Sequence, residues 1–167
     1  MIHHRSRLRR GSSRTTFLII IAIFVLSWIG AAIFGHRVYL NVLDTARETD
    51  TTMRALAWAA LVYTCREDGR FPTDAQQLFS VQPLPDRLDC VPSEIGAWPT
   101  TREELLGDRL FPDDLAEASR KMKLYFSSDG TRPPVLEANG LPTELGTTED
   151  IPLWFKSLKS SFPENDV

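Results

Sequence analysis

Nineteen consecutive residues without a charge, Phe17 to Gly35, constrain this chain more than any other feature of it. At about 1.5 Å per residue, a helix of that length covers roughly the 30 Å hydrocarbon core of a bilayer. The run (FLIIIAIFVLSWIGAAIFG) has no polar face, whereas a helix at the surface of a soluble core keeps one. Upstream, residues 1–16 hold Arg5, Arg7, Arg9, Arg10 and Arg14 and no acid. A basic flank before an apolar span stays in the cytoplasm. The reading is therefore a single-pass anchor in the inner (cytoplasmic) membrane, in contact with lipid, with everything from His36 onward on the extracytoplasmic, periplasmic side. A cleaved secretory signal is the competing reading, and Gly30, Ala31 and Ala32 supply the small residues that it needs. The run exceeds the usual h-region of about 7–15 residues, which favours retention.

Charge is laid out unevenly. Five of the 19 basic residues lie in the leader, which leaves 14 against 22 acidic residues, a net of −8, for the rest of the chain. An acidic domain repels phosphate backbones, so no nucleic-acid partner is expected for it. The two cysteines, Cys65 and Cys90, suit an oxidising compartment and can form one disulfide. Two separate buried thiols fit the same sequence.

No proline occurs before Pro72, and His36 to Asp68 reads as a helix continuing the anchor, about 50 residues in all. Met53, Leu56, Ala57, Ala60, Leu61 and Thr64 recur at the spacing of a one-sided apolar stripe. Arg47, Glu48, Asp50 and Arg54 mark the preceding stretch as a solvated stalk. Gly69 caps the helix and Pro72 prevents its continuation. Beyond it the elements are short. Thr73 with Gln76 signals a helical turn that points Leu78 and Phe79 inward. Residues 81–99 form a proline-punctuated loop. Thr100 with Glu103, or Thr101 with Glu104, opens another helix, and 113–121 a third. Lys123 to Ser127 reads as a strand, Ser128 to Thr131 as a turn, and Val135–Leu136 as the start of a second strand. Asn139-Gly140 signals a hairpin, with Leu141 to Leu145 returning as a third strand that Pro142 confines to an edge. Thr147 or Thr148 caps a last helix bearing Ile151, Trp154, Phe155 and Leu158. The expected organisation is a leader (1–16), a transmembrane helix (17–35), a stalk helix (36–71), a small outer domain (72–162) and a frayed tail (163–167). The fold class is α+β, with the Ala-rich end of the long helix packed on a small antiparallel sheet that cannot bury a face by itself.

Two stretches resemble a family. Arg9-Arg10-Gly11 followed by FLIIIAIFVL is similar to the basic leader, cleavage glycine and apolar helix of a type IV prepilin. Residues 46–78, with Gly69-Arg70-Phe71-Pro72 at the turn, look like the passage from helix to domain in the major pseudopilin of type II secretion systems. Leu110-Phe111-Pro112-Asp113 and Lys123 to Ser127 are fainter echoes. The resemblance implies a pilin-like fold, cleavage between Gly11 and Ser12, and packing with other pilin-like subunits or secretion machinery for protein transport in a bacterium. The family usually carries a glutamate five residues after the cleavage glycine; Thr16 stands there here. That glutamate's implied role is to neutralise a neighbouring subunit's new amine within the membrane, where an uncompensated charge is costly. Its replacement points away from the main filament subunit.

Residues that can carry chemistry are sparse. All three His (His3, His4, His36) precede Arg37, so the outer domain has no histidine for triad or Cys-His catalysis. Glu103-Glu104 and Asp113-Asp114 are neighbours that point apart rather than converge across a cleft. Acids at helix starts favour the dipole. Ser157 and Lys159 do not share a helix face. No enzyme, small-molecule substrate or cofactor is expected. Calcium is the one metal the sequence offers, through Asp113, Asp129 and Asn139 as oxygen ligands, since some pseudopilins hold it in C-terminal loops. The same residues fit turns without a metal. Trp58, Trp98 and Trp154 read as core. Gly30, Ala31, Ala32 and Gly35 offer a small-residue face for helix packing in lipid. The alternative to an assembly component is a stand-alone tethered binding or scaffolding domain.

Overall fold

The computed structural model describes residues 13–90, 99–107, 109–144 and 146–162. Among the described residues seven elements follow one another: α1 (Ser13–Arg66), α2 (Ala75–Phe79), α3 (Arg102–Leu106), α4 (Leu115–Ser119), β1 (Lys123–Tyr125), β2 (Val135–Glu137) and α5 (Thr147–Lys159). The chain divides into two compact units, Met1–Asn41 and Val42–Val167, and α1 contributes residues to both.

In the first unit, α1 is long and apolar enough to cross a membrane, and none of its most apolar window is buried within the protein. Phe17, Ile20, Phe24, Trp28, Ile33 and Phe34 all stand exposed. The hydroxyl of Ser27 donates to the Ile23 carbonyl at 2.9 Å, so this hydroxyl is satisfied within the helix.

In the second unit α1 changes character. Every residue from Ala55 to Val62 is buried. The expected one-sided stripe is therefore a helix enclosed on all faces. Four alanines, Ala55, Ala57, Ala59 and Ala60, supply the side chains small enough for other elements to close over the faces that the stripe leaves out. Thr49, Thr52 and Thr64, also buried, return their hydroxyls to the carbonyls of Thr45, Glu48 and Ala60. Trp58 is enclosed, and its indole N–H donates to the Pro85 carbonyl at 3.0 Å. Trp154 is buried as well, while Trp98 lies outside the described residues.

The helix stops where a reversal is built. Asp68 and Gly69 both take positive φ, and the Gly69 N–H donates back to the Thr64 carbonyl at 2.9 Å. Phe71 is then buried against Phe155, ring centroids 5.8 Å apart, and its N–H donates to the Gly130 carbonyl.

The sheet has two strands: β1 pairs antiparallel with β2 in the register Lys123↔Glu137, Leu124↔Leu136, Tyr125↔Val135. Leu136 and Leu124 face the core that holds Leu56 and Leu61, and Tyr125 and Val135 face out. The expected third strand does not form over 141–144. The Asn139-Gly140 turn is made, with both residues at positive φ and the Leu141 N–H donating to the Ala138 carbonyl. Pro142 then has no N–H for a ladder. Leu145 lies outside the described residues.

Two caps differ from the sequence expectation. Helix α2 is capped by Asp74, whose carboxylate accepts from the Gln77 N–H, rather than by Thr73; Thr73 instead donates its own N–H and hydroxyl to the Gln77 side chain. Helix α5 has as its N-cap Gly146, which has no side chain to cap with, rather than Thr147 or Thr148; the Thr147 hydroxyl accepts from Arg54. For α3 the structure selects Thr101 with Glu104, a complete reciprocal capping box. Helix α4 is capped by Asp114.

Candidate functional site

A charged cluster is assembled inside the second unit around Asp50, one of the residues that the sequence assigns to a solvated stalk. Its side chain is fully buried. Burying a lone carboxylate is costly unless it is paired, and two guanidiniums pair it. Arg54, one turn along α1, donates from Nε to Asp50 Oδ2 at 3.1 Å. Arg109, from the segment after α3, places Nη1 on the same oxygen. Asp50 Oδ1 has no hydrogen-bond partner among the described residues.

Each arginine then reaches a second element. Arg54 donates to the Leu105 carbonyl at 3.1 Å and to the Thr147 hydroxyl at 3.2 Å, lies 3.8 Å from Asp150, and stacks 5.6 Å above the Trp154 ring. One side chain thus ties α1 to α3 and α5. Arg109 turns Nη2 to Glu144, and Arg47, one turn before Asp50 on the exposed side of α1, lies 3.8 Å from the same carboxylate. Arg47, Arg54, Arg109 and Glu144 line an open cleft of about 700 Å³ whose other wall is the α3 end, Leu105 to Gly107.

The carboxylate pairs read from the sequence do not converge. Glu104 accepts from the N–H and hydroxyl of Thr100 and the N–H of Thr101, and these bonds hold its pKa below the usual carboxylate value. Asp114 caps α4 and Asp113 is exposed just before it. Lys159 donates to the Thr131 carbonyl at 2.9 Å, away from any catalytic pairing with Ser157. The calcium candidates are likewise dispersed in turns. Asp129 accepts from the Ser127 hydroxyl and from the Thr131 N–H, which push its pKa well below the carboxylate range. Asn139 occupies its positive-φ turn position. Among the described residues no group of three or more His, Cys, Asp or Glu is gathered to hold a metal.

Gly30, Ala31, Ala32 and Gly35 all lie on the exposed part of α1, and a methyl group added at either glycine would meet no atom within 4 Å. Gly11 and Ser12 lie outside the described residues. The turn residues Gly69, Arg70, Phe71 and Pro72 act structurally, as the reversal that starts the domain. Cys65 and Cys90 are joined by a disulfide, with Cα atoms 5.4 Å apart, which resolves the two readings of the cysteines. Tyr63 donates to the Gln77 side chain at 3.1 Å, and burial, then Glu67 and Asp74, push its phenol pKa up. The Asp50 cluster was not legible as a site in the sequence. Its one local signal is the Asp50/Arg54 spacing, which on most helices marks an exposed pair.

Comparison with known proteins finds no matching family model, no similar curated protein and no similar solved structure.

Proposed function

We propose that this chain is a bitopic inner-membrane protein, a pilin-like structural or accessory component of a type II secretion or type IV pilus-like assembly, without catalytic activity of its own. The observation that carries the reading is the double use of α1. One stretch of it is apolar and exposed over a bilayer's length, and another is the enclosed core of an acidic folded unit. Three further features support it. The leader is basic, which favours a cytoplasmic N-terminus. The disulfide suits an oxidising compartment for the folded unit. The resemblance to pseudopilins falls on the span and on the Gly69 to Pro72 turn that closes α1. In this reading the apolar stretch joins other subunits' helices in the membrane and the acidic unit is displayed outside. The absence of histidine after His36 supports a non-catalytic role.

Thr16, in place of the family's glutamate, favours a second reading: a membrane-tethered periplasmic binding or scaffolding domain that keeps the architecture and forms no filament. The intact mass of the protein extracted from its native membranes separates the two. A mature chain beginning at Ser12 supports prepilin-type processing and assembly. A chain that retains its arginine leader sinks the filament reading and leaves the tethered domain. A chain beginning after Ala32 would overturn membrane anchoring altogether.

A further inference from the structure

The first compact unit extends past the uncharged span to Asn41, and the stretch between Gly35 and Asp44 reads HRVYLNVL, with Arg37 as its one formal charge. We propose that residues 36–40 form a collar within the phospholipid headgroup layer on the outer side of the membrane, with the Arg37 guanidinium on lipid phosphate and the Tyr39 ring at the edge of the acyl chains. The inference rests on the membrane-anchor reading of the chain and is independent of any filament role.

Length places the collar. Arg14 and Arg37 stand 23 residues apart on the continuous helix α1. At about 1.5 Å per residue that separation is about 35 Å, more than the roughly 30 Å of hydrocarbon and less than the roughly 40–45 Å of the whole bilayer. An arginine at each end therefore reaches phosphate when its stem runs along apolar surface and its head stays in the polar layer. Residues 36–40 rise about 7.5 Å along the helix, the depth of one headgroup layer.

Exposure selects lipid over water and over a partner docked on one side. Val38, Tyr39 and Leu40 keep 45%, 63% and 44% of their surface exposed. Successive residues of a helix turn by about 100°, so these three side chains point in three directions around α1 rather than along one stripe. A partner on one side leaves at least one of them in water, whereas a layer that surrounds the helix covers all three. A stalk in water carries charge on its exposed faces, as α1 does at Asp44, Arg47 and Glu48. Tyrosine suits the interface because its ring is apolar and its hydroxyl is polar. Arg37 is exposed and makes no ion pair among the described residues, and its planar fork of donors matches a phosphate.

The test is the labelling rate of single added cysteines by a charged, membrane-impermeant maleimide. The full-length protein is held at one copy per nanodisc of phosphatidylcholine and phosphatidylglycerol, without reductant, so that Cys65 and Cys90 stay bonded. Ile29→Cys should stay unlabelled. Val38→Cys and Leu40→Cys should each react about tenfold more slowly than Asp44→Cys, because their thiols lie within the lipid boundary. Arg37→Glu should speed the labelling of Val38→Cys several-fold, since phosphate repels a carboxylate, and Arg37→Lys should leave it slow. If Val38→Cys and Leu40→Cys react as fast as Asp44→Cys while Ile29→Cys stays silent, the collar is overturned and the span stands. Labelling of Ile29→Cys removes anchor and collar together. Slow reaction at only one of the two collar positions means cover from one side and overturns the proposal, as does a rate that Arg37→Glu leaves unchanged. Protection found in native membranes and lost in single-copy nanodiscs assigns the cover to neighbouring proteins and likewise overturns it.

Discussion

Replacing Asp50 by asparagine would remove the charge that two guanidiniums share. Arg54 and Arg109 would keep their places in a partly enclosed cluster without their common counter-charge. Breaking a buried pair from one side costs about 3–5 kcal/mol, so Asp50→Asn should shift the urea midpoint strongly downward, and an unchanged midpoint would show that the cluster is solvated in solution. The opposite behaviour is expected at Glu104. Its carboxyl is exposed, and its pKa lies below the usual 4.5 because the Thr100 and Thr101 donors favour the charged form. A folded-state pKa below the unfolded one means that the unfolded chain binds the proton first on acidification. The capping box therefore contributes fully above the usual carboxylate range, and its contribution fades as pH falls through 4.5 and below. Asp129 follows the same sign at the Ser127–Thr131 turn. In Glu104→Gln the stability lost between neutral pH and pH 4 should be smaller than in the natural chain, as read from urea midpoints across that range. Equal losses would mean that the box does not persist in solution.

At the scale of elements, the enclosed end of α1 determines how the domain can be altered. Ala60 has no exposed surface and sits among Leu56, Leu61 and Trp58 in the core cluster. Overpacking a filled interior costs about 1–3 kcal/mol, so Ala60→Leu should destabilise the domain by that amount in chemical denaturation. A substitution on a one-sided stripe's exposed flank would cost nothing comparable. The same element shows what the sequence could and could not convey. The apolar span, the turn at Gly69, one of the two capping boxes that the sequence offers (Thr101 with Glu104), a strand over 123–125, shorter than the expected 123–127, and a second strand starting at Val135 are local patterns, set by spacing, turn chemistry and β-propensity. Burial of Asp50 is not local. Its partner Arg109 comes from a segment far along the chain, and Thr147 from farther still. No periodicity within α1 encodes whether other elements arrive to cover that face. The Asn139-Gly140 turn forms as its local signal implies, yet no third strand follows over 141–144, where Pro142 supplies no N–H for a ladder.

At the scale of the whole molecule, the disulfide links stability, in the proposed topology, to the side of a membrane on which the folded unit would lie. Cys65, in the last turns of α1, is bonded to Cys90 in the loop that follows α2, a sequence separation of 25. Closing a loop of that size restrains the unfolded chain by about 3–4 kcal/mol in the chain-entropy description. Much of a small domain's net stability, about 5–15 kcal/mol, would then depend on oxidation. A unit displayed beyond the inner membrane meets oxidising conditions, and one in the cytoplasm does not. Native membranes treated with an alkylating maleimide under denaturing conditions, without reductant, should yield a protein whose mass is unchanged. Prior reduction should add two labels and lower the urea midpoint by an amount equivalent to about 3–4 kcal/mol. Two labels without reduction would place the folded unit on the reducing side, contrary to the charge asymmetry of the leader, and would remove the extracytoplasmic reading together with any assembly there. A mass shift therefore tests the topology that the arginines imply through a bond that lies in the other compact unit.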